Sequence, residues 1–90
     1  MPPPTRLEVK QLIIEVVQAH EVRPEDIDDS APLAENALLG LDSVDFLEIT
    51  VALRTRYGVR VDDANLARTV LRSVDSILEF IARSEHDLRQ

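Results

Sequence analysis

Apolar residues recur at helical spacing in three separated stretches of this chain, and no stretch long enough to pair as a strand alternates apolar with polar. Val9, Leu12, Ile13, Val16 and Val17 form the first set; Phe46, Ile49, Leu53 and Tyr57 the second; Val74, Ile77, Leu78 and Ile81 the third. Each set follows a helix-starting residue. Thr5 with Glu8 makes a capping box, Asp42 or Ser43 opens the second helix, and Ser73 opens the last. Gly58 stands where a helix C-terminus wants a left-handed residue. The first helix is expected to end near His20. Between Gly58 and Ser73, VRVDDANLARTVL reads as a turn and a short helix capped by Asp62 or Asp63; VRV alone has no second strand to pair with.

The reading is therefore all-α: a small four-helix bundle with a long loop between helices 1 and 2 and a short third helix. Ninety residues make one domain and bury about 60–65% of the unfolded surface. With aromatics at 3% and no cysteine, aliphatics must fill the core, and neither a disulfide framework nor a thiolate metal site can form. Residues 1–4 are expected as a disordered leader, 5–84 as the folded domain and 85–90 as a tail. There is no signal segment and no apolar run long enough to span a bilayer, which points to a cytoplasmic monomer that engages no membrane.

The loop EVRPEDIDDSAPLAENALLG (21–40) is long for so small a domain, which hints at function. Ile27, Leu33 and Leu38 are expected to pin it to the core. The net charge of −7 argues against nucleic acid, whose phosphates demand Lys and Arg. The charge is also uneven. Residues 21–48 hold nine acids against Arg23, whereas residues 49–72 hold five arginines against Asp62 and Asp63. An anionic end of this kind steers partners with basic patches, or simply keeps the chain soluble. A calcium loop starting at Asp26 fails, because Ala31 replaces its glycine and Ala37 its final glutamate.

The second helix carries two apolar stripes. With Phe46 at zero, Ile49, Leu53 and Tyr57 lie within about 60°, while Val44, Leu47 and Val51 cluster at about 100–160° beside Glu48. One stripe serves the core. The other, edged by Asp45 and Glu48, is either the flank of a widely buried helix or an exposed surface for transient docking.

Ser43, in GLDSVDFLEI, has three possible roles: helix cap, nucleophile or attachment point. GLDSV is not a nucleophile elbow, and the only histidines, His20 and His86, are placed far from it in sequence. Catalysis by this chain is not expected. As a cap Ser43 competes with Asp42. As an attachment point it suits a phosphate ester, since unpaired N–H groups and the helix dipole favour an anion there.

These residues resemble acyl carrier proteins, whose attachment site reads Gly-x-Asp-Ser-Leu ahead of an acidic amphipathic helix. The resemblance runs from about Leu7 to Ile81 and includes the order of elements. It implies that Ser43 carries 4′-phosphopantetheine placed by a phosphopantetheinyl transferase, with Asp42 as the aspartate before it. Val44, Leu47 and Val51 match the apolar recognition positions, and Asp45 and Glu48 the acidic ones. The arm's thiol would hold acyl groups as thioesters for ketosynthase, acyltransferase or acyl-ligase partners. Three departures stand out: Val44 replaces the usual leucine, the third-helix region lacks its common proline and is longer, and it carries Arg60, Arg68 and Arg72. They tilt the expectation toward polyketide or specialised lipid assembly over primary fatty-acid synthesis. The other reading is an unmodified docking adaptor in which Ser43 only caps.

Overall fold

A computed structural model describes residues 4–88, with side chains through Ser84. Four helices follow one another: α1 (Arg6–Val16), α2 (Ser43–Tyr57), α3 (Ala64–Val70) and α4 (Val74–Leu88). Two short 3-10 turns, Pro24–Asp26 and Leu33–Glu35, punctuate the long connection between α1 and α2. Among the described residues there is no strand, and no helix is long and apolar enough to cross a membrane.

The caps fall where side-chain chemistry puts them. Glu8 N–H donates to Thr5 Oγ1 and Thr5 N–H to Glu8 Oε1, closing the box at α1. Asp63, not Asp62, caps α3 by accepting from Leu66 N–H at 2.7 Å. Ser73 caps α4 reciprocally with Ser76, whose N–H donates to Ser73 Oγ at 3.1 Å while its own Oγ accepts from Ser73 N–H at 2.9 Å.

Two helix ends differ from expectation. α1 stops at Val16, short of His20, because Gln18 takes a φ of 58° and the backbone closes a Schellman motif. Ala19 N–H reaches Ile14 O and Gln18 N–H reaches Glu15 O. α4 continues through Leu88, so the stretch expected as a tail from residue 85 is helical up to that point. Residues 1–3 of the expected leader lie outside the described residues, and Pro4 is buried.

The core is aliphatic, as the composition requires. Val9, Leu12 and Ile13 of α1 meet Ile49 and Leu53 of α2 and Val74, Ile77 and Ile81 of α4. α1 packs against both α2 and α4, and α3 against α4. The connection contributes Val22, Ile27, Leu33 and Leu39. Leu38, expected as an anchor, is exposed. Asn36 Oδ1 accepts from both Leu38 and Leu39 N–H, and this tight turn sends Leu39 inward and its neighbour out.

The loop is also tied down by polar contacts. Asp75 N–H donates to Asp29 O at 2.9 Å and Leu33 N–H to Arg72 O at 2.8 Å. Arg6 reaches both Asp75 (2.9 Å) and Asp29 (3.5 Å), and Lys10 Nζ lies 2.6 Å from Asp29 Oδ1. That oxygen is shielded from solvent and has no well-angled hydrogen bond, so Lys10 acts as its counter-charge. The start of α2 thus hangs from a loop fixed at several points along its length.

Candidate functional site

Asp42 caps α2 and Ser43 is its first helical residue. Asp42 Oδ1 accepts from Asp45 N–H at 2.8 Å, and Asp45 Oδ2 accepts from Asp42 N–H at 3.0 Å. This reciprocal box takes over the capping role, so Ser43 is free of it. Ser43 is exposed, and its hydroxyl has no hydrogen-bond partner among the described residues. Among the described residues no base is hydrogen-bonded to it, and the two nearest acids in sequence, Asp42 and Asp45, each place one carboxylate oxygen on the backbone. The hydroxyl therefore stands beside the positive end of a fifteen-residue helix.

The second stripe of α2 is exposed: Val44 at 58%, Leu47 at 63% and Val51 at 57%. These values exclude the widely buried helix, because side chains in a packed interface would be largely covered. Glu48 is exposed beside them. Asp45 is half-buried and engaged in the capping box, so its first role is to hold the site's backbone. Leu38, at 65% exposure, is a further bare apolar side chain in the turn leading to the site. The sequence offered one signal for it, Asn36 two residues before, whose side chain bends the chain through that turn.

Ser43 also sits at the edge of a groove of about 690 Å³. Phe46, Leu47 and Thr50 of α2 line one side, and Ala64, Ala67 and Leu71, on α3 and just after it, line the other. Pro32 and Ala34 of the loop, and Val61, Asp62 and Asp63, complete the wall with Arg68 and Arg72. Positions 64, 67, 68 and 71 share one face of a helical turn pattern, which explains how a short α3 presents a continuous wall. Leu66 and Val70 do not line it. Val70 is buried against the core, with its carbonyl accepting from Ser76 Oγ at 2.7 Å.

The fold and site together define a class: a small helical protein that offers a bare hydroxyl at a helix start, flanked by an exposed apolar stripe and an apolar groove. Compared with known families, the sequence matches the model described as phosphopantetheine attachment site over residues 8–81. The chain belongs to this family, and it is a carrier protein of the kind that bears covalent 4′-phosphopantetheine. None of the curated proteins matches it.

The residues present fit that group. Ser43 would supply the hydroxyl, the N–H groups of Ser43 and Val44 are not used by the cap, and solvent reaches the site. A phosphodiester placed there lies at the positive end of α2, favoured by roughly 0.3–1 kcal/mol at an exposed position.

Proposed function

We propose that Ser43 is the residue that carries the phosphopantetheine arm, and that the chain presents acyl groups on it to partner enzymes. The observation that supports this best is the division of labour at the start of α2. Asp42 and Asp45 cap the helix by themselves, which leaves the Ser43 hydroxyl exposed and unpaired. When bound, the arm supplies a thiol on which acyl groups travel as thioesters. The chain's own residues hold the attachment point rigid, present a docking face and offer a groove beside it.

Val44, Leu47 and Val51, with Glu48 at the edge, are the face offered to a phosphopantetheinyl transferase and to ketosynthase, acyltransferase or acyl-ligase partners. Their exposure without any local packing role is what favours this. Arg60, Arg68 and Arg72 give the α3 region a basic character, which favours polyketide or specialised lipid assembly over primary fatty-acid synthesis.

Intact-mass measurement tests the assignment. The purified protein is treated with coenzyme A and a broad-specificity phosphopantetheinyl transferase, alongside Ser43→Ala. The expected result is a gain of one phosphopantetheine in the wild type and none in the variant, with both melting alike. No gain under conditions that modify a known carrier overturns the reading and leaves a docking adaptor in its place.

A further inference from the structure

The groove beside Ser43 is apolar along its walls yet carries two guanidinium groups, Arg68 on α3 and Arg72 just beyond it. Neither forms an ion pair among the described residues. Among the described residues the Arg68 side chain has one hydrogen bond, from Nη1 to Asn65 Oδ1 at 3.4 Å. Two carboxylates line the same groove, but both have other work. Asp63 Oδ1 accepts from Leu66 N–H at 2.7 Å as the cap of α3, and Asp62 Oδ1 lies 3.8 Å from Arg60 Nε. The groove therefore joins an apolar length, formed by Phe46, Leu47, Ala64, Ala67 and Leu71, to a rim whose arginines, Arg68 and Arg72, form no ion pair among the described residues, with Asp62 and Asp63 as the acids of the same lining.

A plain hydrocarbon chain would match the walls and gain nothing from the rim. An acyl chain ending in a carboxylate would match both, because guanidinium groups bind carboxylates through paired, charge-assisted hydrogen bonds. The groove's size lies within the range of small-ligand sites, about 300–1,000 Å³. We propose that this groove selects ω-carboxyacyl cargo, with the methylene segment along α2 and α3 and the distal carboxylate held by Arg68 and Arg72. The inference rests on Ser43 being the attachment point.

The test loads the full chain with octanoyl or suberoyl phosphopantetheine from the corresponding coenzyme A thioesters, with intact mass recorded first. Cleavage of each thioester by hydroxylamine is then timed for the wild type and for Arg68→Gln/Arg72→Gln. The suberoyl thioester is expected to be cleaved about two- to fivefold more slowly on the wild type than on the double variant, the effect of a partly exposed ion pair. Octanoyl should be cleaved equally on both. Arg68→Lys/Arg72→Lys should restore part of the protection, and added salt should weaken it.

Several results overturn the proposal. One is octanoyl protected as well as suberoyl on the wild type. Another is an equal loss of protection for both cargoes in the Gln variant, which would make the arginines packing groups only. A third is an Arg68 and Arg72 side-chain NMR shift already complete in the unacylated, phosphopantetheinylated protein, which would assign them to the arm's own phosphodiester. Failure of loading overturns the carrier reading itself and is seen in the mass spectrum before any cleavage is timed.

Discussion

Positions 18 and 58 both hold left-handed backbone at a helix end, and they show how much a single residue decides. Gly58, with a φ of 69°, closes α2 through its N–H to Arg54 O. A Cβ added there meets nothing within 4 Å, so the cost of Gly58→Ala is backbone strain alone, about 1 kcal/mol. Gln18 pays a similar strain at 58° without glycine's freedom. Gln18→Gly should therefore stabilise the fold by about 0.5–1 kcal/mol, read as a higher denaturation midpoint in urea with an unchanged slope. This contrast also explains what the sequence revealed of the helix ends. Glycine at 58 announces a terminus, whereas glutamine at 18 does not, so α1 ends earlier than its sequence pattern predicts. Oxygen-bearing caps at Thr5 and Ser73 could be read in advance, and those of α2 and α3 to within one residue (Asp42 or Ser43, Asp62 or Asp63), because their side chains act on N–H groups three residues away.

At the scale of the element, α2 has two apolar faces with opposite consequences. Ile49 and Leu53 are fully buried, and Ile49→Ala should cost about 2–5 kcal/mol by leaving a cavity. Leu47 is 63% exposed, and Leu47→Glu should change stability by no more than about 0.5 kcal/mol. On the proposed function, however, Leu47→Glu should slow phosphopantetheinylation about tenfold or more in kcat/KM, the effect of losing one apolar anchor from a small interface. An equal melting profile with an equal transfer rate would remove Leu47 from the docking face. The two stripes were legible because a helix has a fixed angular period. The groove was not, because its far wall depends on where α3 lies against α2, and no local pattern sets that distance. Leu38 lies outside, against expectation, for a related reason: adjacent residues in an irregular turn share composition, and the Asn36 hydrogen bonds decide that Leu39 enters the core instead.

For the whole molecule, the long acidic connection has to be held in place against its own charge. Three of its six carboxylates are engaged with backbone or cations: Asp26 with Arg23 N–H, Asp29 with Lys10 and Arg6, and Asp28 within its own turn. Asp28 Oδ1 accepts from Ser30 N–H at 2.9 Å, Ser30 Oγ at 3.2 Å and Ala31 N–H at 3.1 Å. The Ser30 and Ala31 N–H groups hold its carboxyl below the usual value of 3.8. The folded protein thus binds fewer protons at this site than the unfolded chain. The resulting stability is present above the usual carboxylate range and is lost as pH falls through the lowered folded value. Acidification has an opposite effect on the molecule as a whole, since a chain of net charge −7 relaxes its self-repulsion as it approaches its pI near 4.6. Asp28→Asn separates the two, because it keeps the accepting oxygen and changes the total charge by one. The wild type should be the more stable at neutral pH, and the gap should close as pH drops below the usual carboxylate value. Urea midpoints for both proteins across that range measure it. A gap that stays constant with pH would mean that the turn is held by shape alone, and that the acids of this loop serve the docking partner more than the fold.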